Sequence, residues 1–328
     1  MKNLLYIFLV VLLFSCQTQQ KELKVISGNA IGTTFSIKYL THDEIDFQPK
    51  IDSLIDAVNA SVSTYIPTSD ISLINKGDTS IVVDHFFEEV YFKSERIYKE
   101  TDGEFDPTVG VLVNAWGFGP EKGLNNLDSV QVKELLTYVG FNKVKLENHK
   151  IIKLYPEIYF DFNAIAKGYL VDIVGRLFEY YNIENYLVEI GGEIRAKGVN
   201  QKGEFWRIGI ENPNEDGTRS FATAIQLKNE SMATSGNYRK FRITDSGEKF
   251  VHTINTKTGY ATESNLLSAS VITAFDCADA DGYATALMAM GLEKSKQFLK
   301  NHPELKAYLI YVNENLEIQT YKSDNFKD

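Results

Sequence analysis

The sequence predicts an α+β fold. Two observations carry that prediction. Residues 164–181 hold a long helical pattern, with Ile165, Tyr169, Leu170, Ile173, Val174, Leu177 and Phe178 on one face. Strand-like runs then follow one another at 186–190, 193–198, 206–210, 222–227, 238–244 and 250–255, with no helical pattern between them. Strands and helices are mixed without strand–helix–strand alternation, which disfavours a doubly wound parallel sheet. Apolar residues make up 44% of the 328, enough for a sizeable core and too many for a disordered chain.

The remaining elements follow from local signals. Residues 24–39 alternate like a strand hairpin, with Gly28 and Gly32 as breaks. Ile51, Leu54, Ile55 and Val58 mark one face of a helix over 51–64. Asp84 caps a second helix over 83–101, and a third spans 130–138 before Gly140. Short strands are expected at 143–147 and 151–154, and the apolar run Ile158-Tyr-Phe160 reads as a strand entering the long helix. Another strand is expected at 268–274. Helices follow at 278–290, stopped by Gly291, and at 292–301, before a closing hairpin of 307–312 and 317–321. Thr234-Ser-Gly236 reads as a small polar loop or an ordinary turn. No fixed short repeat or low-complexity segment interrupts this order.

The N-terminus reads as an export signal. Lys2 precedes an unbroken apolar run from Leu4 to Phe14, too short for a spanning helix. The run ends in Leu13-Phe14-Ser15-Cys16, which resembles a lipoprotein cleavage box with the lipid on Cys16; Phe14 departs from the usual pattern, and the other reading is an ordinary signal peptide. The expected organisation is therefore 1–16 as lipoprotein signal, 17–22 as polar tether and 23–328 as one domain. Acyl chains such as palmitate on Cys16 would anchor the protein to a membrane on its extracytoplasmic, periplasmic side. With Cys16 acylated, Cys277 has no partner and reads as a buried, inert thiol. A net charge of −10 argues against a nucleic-acid partner.

Chemistry concentrates in a few stretches. In Asp161-Phe-Asn-Ala-Ile-Ala-Lys-Gly168, a carboxylate and a lysine flank a small-residue backbone where a helix begins, a suitable mouth for a phosphate. Asp281 and Thr285 stand four apart on a helix, so their oxygens share a face. A carboxylate with a hydroxyl is hard-oxygen ligation suited to Mg²⁺. The competing reading is an Asp cap with a Thr bonded back to its own helix, and Asp279 is a nearby alternative ligand or cap. His252 lies in a polar, glycine-ended run, His252-Thr-Ile-Asn-Thr-Lys-Thr-Gly259, as a base, a phosphate contact or a turn stabiliser. Glu189-Ile-Gly-Gly-Glu-Ile-Arg195 is either a tight hairpin or a place of close ligand approach. His-Glu-x-x-His, Cys-x-x-Cys, P-loop and Gly-x-Gly-x-x-Gly patterns are missing.

Taken in order, these stretches resemble the ApbE family of flavin transferases. The resemblance covers residues 31–291. It includes Gly32-Thr33, Ser63-Thr-Tyr65 with Ser69 and Asn75, Gly103-Glu-Phe-Asp-Pro-Thr-Val-Gly110 and Asn114-Ala-Trp-Gly-Phe-Gly119. It continues through Asp161 to Gly168, Glu189 to Glu193, Ala233 to Gly236, His252 to Gly259 and Asp281 to Thr285. Ile31 stands where the family often has Met, and Asp161-Phe-Asn where it often has Asp-Leu-Gly.

The resemblance implies a T-fold-like arrangement of mixed sheets and packed helices, with FAD and Mg²⁺ in a cleft between two lobes. It implies Mg²⁺ on the Ala164 carbonyl and the side chains of Asp281 and Thr285. It implies FAD contacts from Ile31, Tyr65, Glu104, Phe105, Asp106, Asp161, Lys167, His252 and Ile254, with Asp281 or His252 as the catalytic base. The implied reaction is Mg-dependent transfer of FMN from FAD to an acceptor threonine, with release of AMP. An FAD pyrophosphatase giving FMN and AMP, or a non-catalytic flavin-binding lipoprotein, are the alternatives. The implied acceptors are subunits of NADH:quinone reductase or Rnf-type complexes.

Overall fold

The computed structural model describes residues 21–124, 127–214, 218–237, 253–261, 264–274 and 276–327, and the backbone of 241–243 and 249–251. The signal segment, Cys16 and His252 therefore lie outside the described residues. Strands β1 (Glu22–Ala30) and β2 (Thr33–Thr41) form an antiparallel hairpin. Five helices follow: α1 (Gln48–Val62), α2 (Asp70–Asn75), α3 (His85–Glu100), α4 (Gly110–Ala115) and α5 (Ser129–Leu136). A small hairpin of β3 (Val144–Glu147) and β4 (Lys150–Lys153) leads to α6 (Ala166–Tyr180). Next come β5 (Tyr186–Ile190), β6 (Glu193–Lys197), β7 (Trp206–Glu211), β8 (Phe221–Leu227), β9 (Ser231–Gly236), β10 (Phe241–Ile243), β11 (Lys249–Val251) and β12 (Leu266–Thr273). The described chain closes with α7 (Cys277–Asn301), β13 (Lys306–Val312) and β14 (Ile318–Lys322).

One eight-stranded sheet organises these elements, in the order β1-β2-β5-β6-β9-β12-β13-β14, with each neighbouring pair antiparallel. Strand alternation sends side chains to two faces. Phe35 and Ile37 of β2, Val188 and Ile190 of β5, Ala269 and Val271 of β12, and Ala307 and Leu309 of β13 join the helices in the main core. Ile194, Ile272, Tyr308 and Ile310 face the other way and are covered by Trp206, Ile208, Ile210, Ile225 and Leu227 of the β7–β8 hairpin. This alternation is why both helices of the candidate site, α6 and α7, lie on one side of the sheet, opposite that hairpin.

Local chemistry sets the helix ends. Asp84 accepts from the Phe87 amide at 2.9 Å and starts α3, as expected. Asp128 and Gln131 form a reciprocal capping box that starts α5. Gly291, at φ 73° and ψ 176°, divides α7 into two helical stretches, also as expected.

Three local expectations need correction. Gly28 is not a break: it lies inside β1 opposite Phe35, where a Cβ would come within 2.8 Å of the Phe35 ring. Thr234-Ser-Gly236 is not a loop but the end of β9, between β6 and β12, with Thr234 Oγ1 at 2.7 Å from Ser270 Oγ. Its small residues leave room for α7 to lie against the strand. The 158–160 run is extended but joins no sheet beyond one parallel bridge between Tyr159 and Val109. The Asn75 side chain takes both polar groups of the Phe160 backbone, each at 2.8 Å, and replaces a ladder there.

Phe178 anchors α6 on the sheet, fully buried against the rings of Tyr39, Phe47 and Tyr186. Phe178→Ala is expected to cost about 3–5 kcal/mol, read as a lower urea midpoint at unchanged slope.

Candidate active site

The site forms where α6 begins and the first turns of α7 cross it. Gly168 makes this crossing possible. A Cβ there would lie 2.5 Å from the Cys277 carbonyl oxygen and 2.8 Å from the Ala278 Cα. Without one, the Gly168 amide donates to Asp281 Oδ2 at 3.1 Å. In an uninterrupted helix that amide would bond the carbonyl four residues back, at Ala164. The Gly168 amide is given to Asp281 instead, so the usual helical bond to the Ala164 carbonyl is not made.

Asp281 is buried, 4% exposed. Burial pushes its carboxyl up to about 8; Lys167 and the Gly168 amide oppose that, and Glu193 adds to it. Lys167, one residue before Gly168, is ion-paired with Glu193. Burial works against the Lys167 charge, but Glu193 and Asp281 outweigh it and hold the ammonium above the usual lysine range. Glu193 comes from the β5–β6 hairpin, whose turn is Gly191-Gly192 at φ 63° and 106°. The tight-hairpin reading of that stretch is the right one, and it delivers Glu193 into the site.

The same corner is locked by ions. Asp172 of α6 caps α7 from outside the helix: its Oδ1 accepts from the Cys277 amide at 2.7 Å and its Oδ2 from the Ala278 amide at 2.9 Å. Arg195 of β6 reaches both Asp172, at 2.8 Å, and Asp276, at 2.7 Å. Burial works against the Asp276 charge, but Lys93, Arg195 and Arg176 hold its carboxyl well below the usual range. Asp279, considered from sequence as an alternative metal ligand, is ion-paired with Lys93 at 3.3 Å and with Arg96. It therefore serves this lock. Sequence reasoning missed Asp172 and Arg96 altogether and gave Arg195 no partner. Their pairings join residues far apart in the chain and leave no local pattern.

Around this centre lie the other expected residues. The Asp161 amide donates to the Pro107 carbonyl at 2.8 Å, which ties the phosphate-type turn to the Glu104–Asp106 turn. Gly110 packs under the same segment, where a Cβ would lie 2.7 Å from the Tyr159 carbonyl oxygen. Tyr65 is exposed. Its phenol is raised by partial burial and by the Asp161 charge, which brings those two residues together. Phe105 is buried beside Gly282, next to Asp281. Glu104 pairs with Lys294 at 3.2 Å, and among the described residues its Oε2 has no hydrogen-bond partner. The Asp106 carboxylate accepts from Thr108 N, Thr108 Oγ1 and Phe141 N. Its side chain holds the turn, and burial pushes its carboxyl up to about 6.

Ile31 occupies the β1–β2 turn at φ 48°, a conformation that costs a β-branched residue energy. Next to it, the Gly191 amide bonds the Thr34 carbonyl at 3.0 Å, so the Ile31 and Gly191 turns share one end of the sheet with Glu193. Ile254 is buried, bridged to Ala261 in a segment docked by Thr256 Oγ1 on the Gly103 carbonyl at 2.6 Å. Thr285 is half-buried on α7, one helical turn beyond Asp281. Cys277 is buried and its thiol pushed well up, as an inert cysteine would be.

Among the described residues, no group of three His, Cys, Asp or Glu side chains stands ready to hold a metal. The available donors are a carboxylate, a hydroxyl and a main-chain carbonyl. These fit Mg²⁺, which takes few protein oxygens and keeps positions for water and phosphate. A buried carboxylate whose charge is disfavoured in the bare protein is what an incoming cation would relieve.

An α+β scaffold with a lysine-bearing helix entrance beside a buried carboxylate defines a class of site that grips a phosphorylated ligand. Comparison with known proteins narrows that class. The family model described as "ApbE family" matches residues 31–309, and the chain belongs to that family. A protein of Haemophilus influenzae named "FAD:protein FMN transferase" is 38% identical over 94% of this chain and 93% of its own length. The structure titled "Flavin Transferase ApbE from Vibrio cholerae" superposes with a TM-score of 0.83 at 34% identity, over 93% of this chain and 98% of that one. A flavinyl transferase of Pseudomonas stutzeri, in its apo form, also gives 0.83, at 27% identity over 95% of this chain and 98% of that one.

Two outcomes test this geometry. Gly168→Ala is expected to force α6 and α7 apart and cost about 1–3 kcal/mol, seen as a lower melting temperature. Asp276→Asn should destabilise the protein by about 2 kcal/mol at neutral pH. Because the native Asp276 carboxyl lies below its unfolded value, that stabilisation is present above about pH 4 and lost as pH falls. The gap between wild type and variant should therefore close on acidification in urea titrations.

Proposed function

We propose that this protein is an FAD:protein FMN transferase that moves FMN from FAD onto a threonine hydroxyl of an acceptor protein and releases AMP. The observation that carries the reading is the junction of Gly168, Asp281 and Lys167, a buried carboxylate and an ammonium set at one helix entrance. The names of the relatives that align over nearly the whole chain point the same way.

Lys167 and the positive end of α6 would bind the pyrophosphate of FAD. Ala164, Asp281 and Thr285 would hold Mg²⁺, whose chemistry here is to offset negative charge on the phosphate oxygens. Tyr65, Ile31, Phe105 and Ile254 would wall the rest of the dinucleotide. The acceptor hydroxyl oxygen forms a bond to the FMN-side phosphorus. The phosphoanhydride bond breaks and its electron pair leaves with AMP. The hydroxyl proton passes to a base, for which Asp281 and His252 are the two candidates. Holding both reactants in line supplies much of the rate, since phosphoryl transfer needs little covalent help from the protein.

The acceptor fits a flavin-carrying subunit of a membrane redox complex, of the NADH:quinone reductase or Rnf type. The lipid expected on Cys16 would suit such an acceptor, because an anchor on the extracytoplasmic face would raise the local concentration of enzyme and acceptor.

The test mixes the full-length protein in detergent with FAD, Mg²⁺ and such an acceptor. A fluorescent acceptor band, heavier by one FMN and dependent on Mg²⁺ and the acceptor threonine, is the expected result. Free FMN and AMP without labelling would mean hydrolysis, and tight FAD binding without reaction would mean a carrier; either would overturn the transferase reading. Asp281→Ala should lower labelling at least about a hundredfold, given that the metal and its ligand carry much of the charge stabilisation. Its circular dichroism should stay native, and full activity in that variant would refute the metal assignment.

A further inference from the structure

We propose that Glu193 is a positioning residue that keeps Lys167 directed at the phosphate site and away from Asp281, so that Asp281 stays available to a divalent cation. This rests on the Mg²⁺ reading above. Three features of the site point to it.

First, Glu193 is 1% exposed and pairs with Lys167 through Oε1. The Lys167 side chain is the more open partner, 30% exposed, so the buried carboxylate is the fixed member and the ammonium the member held. Second, Lys167 precedes Gly168, whose amide bonds Asp281, so the lysine and that carboxylate meet at one helix entrance. A lysine so placed has two carboxylates to choose from. Third, Glu193 Oε2 is buried and, among the described residues, has no hydrogen-bond partner. An unpartnered buried carboxylate oxygen is costly, and a fold tolerates one where the charge has a use. Arg195, two residues along β6, is committed to Asp172 and Asp276, so Lys167 is the cation that answers Glu193.

The electrostatic consequences of removing Glu193 have one sign. Loss of its negative charge lowers the attraction of the site for a cation. Loss of its pairing frees Lys167 to neutralise Asp281, which competes with the metal. Both weaken divalent-cation binding. A glutamate that only filled space would leave metal affinity unchanged in an isosteric glutamine variant.

The experiment measures Mn²⁺ binding to the full-length protein in detergent, from the electron paramagnetic resonance signal of the free ion, without FAD or turnover. Glu193→Gln should weaken binding at least about tenfold, the scale of losing an outer partner of a metal ligand. Glu193→Asp, which keeps the charge, should recover part of it. In a Lys167→Met background the effect of Glu193→Gln should shrink by more than half, because the competing ammonium is gone. Wild-type affinity in a folded Glu193→Gln variant would overturn the inference. So would an equal loss with and without Lys167, since that leaves only a direct charge effect. If Glu193→Gln fails to fold, the Glu193→Asp and Lys167→Met proteins carry the test. A lysine restrained by the carboxylate predicts weaker Mn²⁺ binding in Glu193→Asp that Lys167→Met reverses, and no reversal would overturn it. Wild-type protein that bound no Mn²⁺ would remove the metal reading and this inference together, whereas wild-type binding with unaltered variants removes this inference alone.

Discussion

The contact of α6 with α7 at Gly168 is the constraint on which the site depends. It needs a residue without a side chain, since any Cβ would enter the Cys277 and Ala278 backbone. Given that approach, one amide can serve a carboxylate on another helix, and a lysine-bearing helix entrance comes to lie beside the buried Asp281. The contact is expensive to hold, because it brings helix N-termini and buried charges into one corner. The ionic lock of Asp172, Arg195, Asp276, Lys93 and Asp279 is the structure's answer. Asp172 supplies α7 with the cap that the helix's own first residues lack.

The sheet contributes direction. Residues two apart on a strand point the same way, so Glu193 and Arg195 of β6 both face the helices, while Ile194 and Ala196 pack under the β7–β8 hairpin. One strand thereby serves the Lys167 end of α6 with an acid and the α7 cap with a base. The glycine pair before Glu193 turns the chain tightly enough to put that acid at the end of the sheet where Ile31 also sits. Strain at Ile31 and an oxygen of Glu193 without a partner among the described residues occur at the same end, as expected where geometry serves a ligand rather than stability alone.

The chain belongs to the ApbE family. The physical fit is independent of the name. Pyrophosphate calls for a cation at a helix entrance, and transfer calls for charge relief at phosphorus; Lys167 stands at the start of α6, and Asp281 is brought to the same helix entrance from α7. Asp106 lies in the matching stretch, and its carboxylate accepts from Thr108 and Phe141, so it shapes the turn that carries Glu104 and Phe105.

The sequence by itself determined the fold class, the longer helices and the stretches where chemistry gathers, because periodicity, capping residues and motif order are local; the six-residue helices α2 and α4 are too short to show a period and were missed. Asp84 and Gly291 act where they stand, and Asp281 and Thr285 share a face through helical spacing alone. Tertiary structure alone decided which groups meet. That Glu193 answers Lys167, that Asp172 caps a helix more than a hundred residues further on, and that Asn75 replaces a strand ladder at Phe160 depend on contacts between distant segments. The small residues of β9 read as a loop for the same reason: their worth lies in letting a helix come close, and nothing in a strand's own sequence records what lies across from it.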